Sequence, residues 1–527
     1  MIANVADLIS AARTSRPQGV AVVSAEDGTS LSWAELDELV SRLAAGFERL
    51  GLVAGNRVVI ATGNRVEFVA TYFAVLRARL VAVPVNPRSA MGEFVQMVTD
   101  SGARLVVADA GTVDDARSVV EGIAGALEAT DEESTVPRLL VLDRPAQDGE
   151  VSYDDIAASE PDVLPVSVDP ETLAVLLYTS GASGPARAAM LTHRALLANI
   201  EQVASIEPAM VRADDVVYGV LPLFHVYGLN AVLGQVVRQG ATIVLADTFD
   251  PAGSLQQIAR YAVTVVPIAP PVLAHWRRVE GFTESLSSVR MLLSGSAPLA
   301  PELMEEFTAA TGIEVHQGYG LTEAAPVVTS TIGSSRIKRG SVGVVIPGVH
   351  LRLVDETGEA VGPGEDPGEI QVSGDNLFSG YWPDRDEAPV EGWFATGDVG
   401  FLDEDGDLFL VDRLKEMVIV SGFNVYPSEV EEVVADADGV REVAVLGVPD
   451  DETGEAVVAY VRPDEGYQDR HDELLDAVRR VCEARLARFK WPSRIEVVDD
   501  LPRTVTGKIA KGRMRATLRR ERLGLLE

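Results

Sequence analysis

Apolar residues along this chain come in two alternating textures: short continuous runs, and longer stretches in which they recur at helical spacing. Residues 20–23 and 29–31 predict a short hairpin. Ser32-Trp-Ala-Glu35 has the capping-box pattern and opens a helix with Leu36, Leu39, Val40, Leu43, Phe47 and Leu50 on one face. A strand at 57–61, a helix over about 66–76 and a strand at 81–85 follow, and the alternation continues through 105–108, 139–142 and 173–177. The acidic, proline-bearing stretch 128–169 reads as a surface excursion. Beyond Asp214 the pattern resumes with a strand at 216–221, a helix around 229–237 and strands at 241–245, 263–268 and 291–293. Strands alternating with helices predict βαβ units and a mostly parallel sheet. Past Pro326 the texture changes to short strands and glycine turns (Gly343, Gly348, Gly358, Gly368, Gly374, Gly380), which predicts a small β-rich subdomain. From about Asp412 the chain has strands and helices of its own, at 429–434, 443–448, 457–461 and 474–486, enough for a second domain. The expected fold class is therefore α/β: a large N-terminal domain (1–411) of βαβ subdomains with the β-rich subdomain, and a small α+β C-terminal domain (412–527).

Composition narrows the function. A formal charge of -35 argues against nucleic acid and against docking on an anionic membrane face. Lone Cys482 excludes an intramolecular disulfide or a cysteine metal cluster, and its helical setting (Leu474, Val478, Val481, Leu486) predicts a packed thiol. The N-terminus lacks a basic region followed by an apolar core, and no uncharged apolar run is long enough to span a bilayer, so a cytoplasmic location without an integral membrane segment is expected. Basic residues are overwhelmingly arginine; the lysines are Lys338, Lys415, Lys490, Lys508 and Lys511, positions where an ammonium is expected to matter.

Candidate chemistry lies at the ends of the apolar runs. After the strand pattern at 173–177, Tyr178-Thr-Ser-Gly-Ala-Ser-Gly-Pro-Ala-Arg187 is small, hydroxyl-bearing and glycine-rich, and a helical pattern follows at 195–200. The expected order is strand, loop, helix, with backbone N–H groups and short hydroxyls turned toward a phosphate. No Lys-Ser or Lys-Thr follows Gly184, so this is not the GxxxxGK[ST] loop, and a tight turn needing glycine accounts for the same residues. Gly318-Tyr-Gly-Leu-Thr-Glu-Ala-Ala-Pro326 offers a glycine-flanked ring suited to stacking on a purine, then Thr322 and Glu323, the latter a hard oxygen for Mg²⁺ riding on a nucleotide. A turn with a helix-capping Thr reads equally well. Thr396-Gly-Asp398 closes a strand-like run and presents a carboxylate able to accept both ribose hydroxyls, as any surface Asp could. His225 lies just past a strand, where a satisfied core histidine is the ordinary alternative. Asp412-Arg-Leu-Lys-Glu416 and Ser421-Gly-Phe-Asn-Val-Tyr-Pro-Ser-Glu429 mark the domain junction and read also as a solvated linker. In Leu501-Pro-Arg-Thr-Val-Thr-Gly-Lys508 an ammonium sits on a turn, a compact charge fit to meet oxygen charge developing in a transition state.

In their order, the stretches 178–193, 221–228, 318–326, 368–381, 396–398, 412–429 and 501–508 resemble the adenylate-forming superfamily of acyl-CoA synthetases, luciferases and peptide-synthetase adenylation domains. The resemblance spans essentially the whole chain. It is strongest to bacterial long-chain fatty acid CoA ligases, through Ser421-Gly-Phe-Asn-Val-Tyr-Pro427 and through Ala186 where most of the family has proline. It implies activation of a carboxylic acid by ATP and Mg²⁺ to acyl-AMP, followed by displacement of AMP by coenzyme A. By resemblance Thr179, Ser180, Gly181, Ala182, Ser183 and Gly184, with Arg187, grip the β- and γ-phosphates. Gly295, Ser296, Ala297 and Tyr319, flanked by Gly318 and Gly320, frame the adenine; Thr322 and Glu323 serve the α-phosphate and Mg²⁺. Asp398 chelates the ribose with Arg413 beside it, and His225 lines the junction of acyl pocket and reaction centre. Lys508 bridges carboxylate and phosphate during adenylation. The C-terminal domain, mobile by this resemblance, then turns about Lys415, withdrawing Lys508 and presenting Gly422 to the pantetheine arm.

The phosphate loop departs from the family pattern. Arg187 stands where lysine is usual, Ala182 and Ala188 replace Thr and Gly, and Ala395 replaces an arginine before Thr-Gly-Asp. The acyl-pocket candidates Val226, Tyr227, Leu229, Val232, Leu233 and Val327 offer no obvious cation for a second carboxylate, so a medium- or long-chain fatty acid is the expected substrate, with aryl acids second. Two alternatives stay open, an acyl-AMP ligase that delivers to an acyl carrier protein and a catalytically weakened acyl- or nucleotide-binding protein; an adenylation domain of peptide-synthetase type is disfavoured, since no acidic residue sits where an amino group would be read. The reading leaves the oligomeric state open, a homodimer included.

Overall fold

The continuous apolar runs become strands buried on both faces. The structure, a computed structural model, describes residues 2–130, 136–161, 169–179, 187–296, 299–355, 357–364, 367–413, 416–420, 423–450, 454–486, 488–503 and 508–522. They fall into two compact units, one of Met1–Ser180, Pro185–Leu351 and Val372–Phe394, the other chiefly of Arg352–Gln371 and Ala395–Glu527.

The first unit holds two large sheets. One has nine strands, in the order Val344–Val345, Val327–Ser330, Val315–Gly320, Met291–Ser294, Val265–Ile268, Val216–Gly219, Thr242–Leu245, Val20–Ser24 and Ser30–Ser32. Neighbours are parallel from Val315–Gly320 to Val20–Ser24 and antiparallel outside that span. The other has seven, ordered Val151–Ser152, Arg138–Val141, Leu105–Ala108, Arg57–Ala61, Val81–Pro84, Leu173–Thr179 and Arg187–Thr192, all parallel except the last pair. Helices cover these sheets as the alternation predicts, and the expected capping box forms at Ser32 and Glu35, opening the helix Trp33–Arg49. That helix buries Leu36, Val40, Leu43 and Phe47.

Chiefly in the second unit, a five-stranded sheet runs in the order Ala360–Val361, Val349–Val354, Gly368–Gly374, Phe394–Leu402 and Leu408–Arg413. A further sheet is centred on the hairpin Val440–Asp450 and Gly454–Pro463, both faces of which are covered. Val443, Val445, Val457, Ala459 and Val461 pack with Pro427–Ala435 and His471–Arg485, while Ala444, Leu446, Val458 and Tyr460 pack with Leu501 on the other side. This is the period of two that reads in sequence as an unbroken apolar run. Cys482 is buried in the first of these cores, and burial raises its thiol above the ordinary value.

Three local expectations change. The run after 173–177 is followed by a second strand before the helix His193–Ala204, because Arg-Ala-Ala-Met-Leu-Thr192 pairs back antiparallel along Leu173–Thr179. The expected strand–loop–helix is thus a hairpin. The helix expected around 229–237 is a π-helix at Tyr227–Gly234 running into a short α-helix at Gln235–Gln239. Its Asn230 amide donates to two carbonyls of other segments, Leu196 O at 3.1 Å and Ala325 O at 2.6 Å, contacts that periodicity cannot show. Asp398, expected at a strand end, lies inside Phe394–Leu402 beside a register shift at Val399 and Gly400.

Candidate active site

Three segments far apart in sequence are tied together beside the end of the strand Val315–Gly320. Arg187–Thr192, the strand leaving the glycine-rich stretch, is hydrogen-bonded to the segment 379–382. Ser379 N–H donates to Met190 O at 2.9 Å, Met190 N–H to Gly380 O at 3.0 Å, and Trp382 N–H to Ala188 O at 2.8 Å. Gly380 has φ +100°, and a Cβ there would lie 2.6 Å from the Arg385 carbonyl oxygen, so the bend needs glycine. Phe378 N–H donates to Glu323 O at 2.9 Å, and Asn376 Nδ2 to Ala324 O at 2.7 Å. These bonds fix the backbone of the short 3₁₀ turn Thr322–Ala324.

Both predicted residues of that turn, Thr322 and Glu323, are half-buried. The Glu323 carboxylate accepts from the Tyr381 hydroxyl. Burial, and then the Glu323 charge, push the Tyr381 phenol well above its ordinary value, with Arg187 pulling the other way, so the phenol keeps its proton and donates. The Arg187 guanidinium lies over the Tyr381 ring, Cζ 3.7 Å from its centroid, and Nη1 donates to Glu387 Oε1 at 2.8 Å. Thr179 Oγ1 donates to Arg187 O at 3.3 Å across the base of the hairpin. Ser180, Gly181, Ala182, Ser183 and Gly184 lie outside the described residues.

The strand Val315–Gly320 carries Gly318, Tyr319 and Gly320 within the sheet and not in a turn beyond it. Tyr319 is buried, its N–H donating to Thr329 Oγ1 at 3.2 Å. The glycines on either side are set by backbone contact: a Cβ would lie 2.7 Å from Thr329 O at Gly318 and 2.3 Å from Pro326 O at Gly320. Gly295 follows the parallel strand Met291–Ser294, and a Cβ there would lie 2.9 Å from Tyr227 Cε1, so the Tyr227 ring rests against bare backbone. Ser296 takes φ 69°; Ala297 lies outside the described residues. His225 is half-buried, and its Nδ1 accepts the Tyr227 N–H at 3.3 Å, which leaves Nε2 as the ring's protonated nitrogen when neutral. Val226, Leu229, Val232 and Leu233 are all buried.

In the second unit Asp398 is half-buried opposite Arg413 in the strand pair, its N–H donating to Thr396 Oγ1 at 3.1 Å. The Arg413 side chain, Lys415 and Gly422 lie outside what is described. Lys508 is exposed, just inside the bridge that pairs Arg503 with Ile509. Lys490 Nζ lies 2.6 Å from Glu429 Oε1, and Lys511 Nζ 2.8 Å from Glu431 Oε1.

Among the described residues no group of three or more His, Cys, Asp or Glu is placed to cage a metal. Glu323 offers a single carboxylate, which fits Mg²⁺ bound mainly by nucleotide phosphates. Sequence reasoning gave no role to Tyr381, Asn230 or Asn376. Tyr381 stands in one of the recognised stretches, but its bond to Glu323 crosses 58 positions, so no local pattern signals it.

Residues 10–382 match the family of AMP-binding enzymes, and 429–508 match the AMP-binding enzyme C-terminal domain. A feruloyl-CoA synthase of Amycolatopsis sp is 39% identical over 505 residues, covering 93% of this chain and 94% of that protein. The crystal structure of ATP-bound MatB from Rhodopseudomonas palustris is similar at 32% identity and TM-score 0.86, over 98% of this chain and 99% of that one. A Mycobacterium tuberculosis fatty acyl CoA synthetase structure has 29% identity and TM-score 0.76, over 98% of each chain.

Proposed function

The chain belongs to the family of AMP-binding enzymes, and from that premise we propose that it ligates a carboxylic acid to coenzyme A at the expense of ATP. Both halves of the family pattern are present over nearly the full length, and the carboxylate of Glu323 is held in place at the end of the strand that carries Tyr319. That held carboxylate carries the reading.

Two displacements make up the reaction. A carboxylate oxygen of the acid attacks the α-phosphorus of ATP, the bond to the bridging oxygen breaks, and pyrophosphate leaves. The thiolate of coenzyme A then attacks the acyl carbon and AMP leaves with the carboxyl oxygen. Positioning and charge neutralisation do most of this work. Tyr319, Gly295 and Ser296 bound the adenine, Asp398 accepts from the ribose hydroxyls, and Thr322 donates toward the α-phosphate. Lys508 supplies an ammonium to the adenylation transition state and is withdrawn for the second displacement as residues 412–527 turn about Lys415 and bring up Gly422. Glu323 would hold the Mg²⁺ that accompanies the nucleotide, and the bound metal would neutralise phosphate charge.

The acid is an apolar monocarboxylate. An aryl-propenoic acid of the ferulate type suits the apolar wall of acyl-pocket candidates Tyr227, Val226, Leu229 and Leu233, and it agrees with the feruloyl-CoA synthase relative. A medium- or long-chain fatty acid is the second reading, supported by the same aliphatic wall and by the likeness to the fatty acyl CoA synthetase. Incubation with ATP, Mg²⁺, coenzyme A and either ferulate or palmitate, following AMP and thioester, should give faster thioester formation with ferulate. The reverse preference would establish the fatty-acid reading. Acyl-AMP accumulating despite coenzyme A would shift the acceptor to a carrier protein, and no AMP from any acid would sink the ligase reading.

A further inference from the structure

Arg187 occupies a position where the family resemblance leads one to expect a lysine aimed at phosphate. In this structure its guanidinium is committed elsewhere. It lies face-on to Tyr381 at 3.7 Å and is paired with Glu387 at 2.8 Å. Tyr381 is only 8% exposed, and its hydroxyl donates to the Glu323 carboxylate. The backbone around Tyr381 is itself bonded to the strand that begins at Arg187, through Trp382 N–H to Ala188 O at 2.8 Å. Ring, guanidinium and carboxylate therefore share one rigid frame. A planar guanidinium can stack on the ring and bond Glu387 at once, whereas a lysine ammonium is a point charge without that fork.

We propose that Arg187 is a positioning residue that clamps the Tyr381 ring from one side so that its hydroxyl holds the Glu323 carboxylate in one orientation. Glu387 fixes the guanidinium from the other end. The clamp rests on the reading of Glu323 as the protein ligand of the nucleotide's metal, and it makes the arginine at this position a functional choice and not a by-product of lysine scarcity.

Full-length protein carrying Arg187→Ala, Tyr381→Phe, both together, Arg187→Lys or Glu323→Gln tests it. Two readouts are needed: Mn²⁺ affinity by electron paramagnetic resonance with the α,β-methylene analogue of ATP, and kcat and KM for ATP with the preferred acid. Circular dichroism checks folding, and Tyr381→Phe keeps the ring and its packing if Arg187→Ala proves unstable. Arg187→Ala and Tyr381→Phe should each weaken Mn²⁺ binding and lower kcat by about tenfold, with KM for ATP little changed; the double variant should be no worse than Tyr381→Phe alone, the non-additivity expected of residues acting through one contact. Arg187→Lys should recover less than half of the loss. Additive losses, a loss confined to KM for ATP, or full activity in Arg187→Lys would each mean that position 187 acts on the phosphates by charge, and would overturn the clamp. Glu323→Gln separates the two layers. If it leaves Mn²⁺ affinity unchanged, the reading of Glu323 fails and the clamp with it; if it weakens binding while the Arg187 and Tyr381 effects add, the clamp alone fails.

Discussion

His193 is an ionisable ring at 1% exposure, with the Val5 N–H donating to its Nδ1 at 3.2 Å. Burial pushes its pKa down to about 4 from 6.5. The folded chain therefore binds this proton less readily than the unfolded chain. Its contribution to stability is complete above pH 6.5 and is lost as pH falls toward 4. Melting temperature should fall between pH 7 and pH 5, and His193→Asn, which keeps an acceptor near the Nδ1 position, should flatten that slope; an unchanged slope would mean other groups carry it. Lysine scarcity, legible in composition, marks positions where an ammonium is expected to matter, and Lys490 and Lys511 place theirs in ion pairs with Glu429 and Glu431. Composition cannot tell an ion pair from a catalytic cation, because both reward the same charge. Tyr381 shows the converse limit: its partners, Arg187 and Glu323, are set by tertiary pairing alone.

Elements read best where one period holds over their whole length. The helix Trp33–Arg49, with its Ser32 cap, and the two-faced hairpin Val440–Asp450 and Gly454–Pro463 are plain in the sequence. The hairpin at Arg187–Thr192 was not, since Arg-Ala-Ala-Met-Leu-Thr before a helix carries neither a strand nor a helix period of its own. Glycine at position 320 was legible as part of a motif, yet its cause is a carbonyl: Pro326 O, 2.3 Å from where a Cβ would stand. Gly320→Ala should push the strand end away from Thr322–Ala324 and lower kcat more than it lowers melting temperature, since the strain falls on the turn and not on the core. Asn230→Ala removes a donor from the buried Leu196 and Ala325 carbonyls and should cost about 1–3 kcal/mol in urea unfolding. A loss under ~0.5 kcal/mol would show that those carbonyls find other partners.

The division of the chain into two units bears on how one reaction is split in two steps. Lys508→Ala should abolish acyl-AMP formation while leaving thioester formation from supplied acyl-AMP intact, measured with synthetic acyl adenylate and coenzyme A; equal loss of both would refute the role given to Lys508. Net charge of -35 adds a constraint of a different kind. Because the glycine-rich stretch joins two antiparallel strands, it does not open directly onto a helix whose N-terminal N–H groups would attract anions. On the proposed function, positive charge near the nucleotide's phosphates would come from a few side chains and the accompanying metal, set in a surface that repels ATP at long range. Encounter kinetics should reveal this as an inverted salt response: raising KCl through the range in which the Debye length shrinks to about 10 Å should quicken ATP association, where a basic nucleotide site would slow.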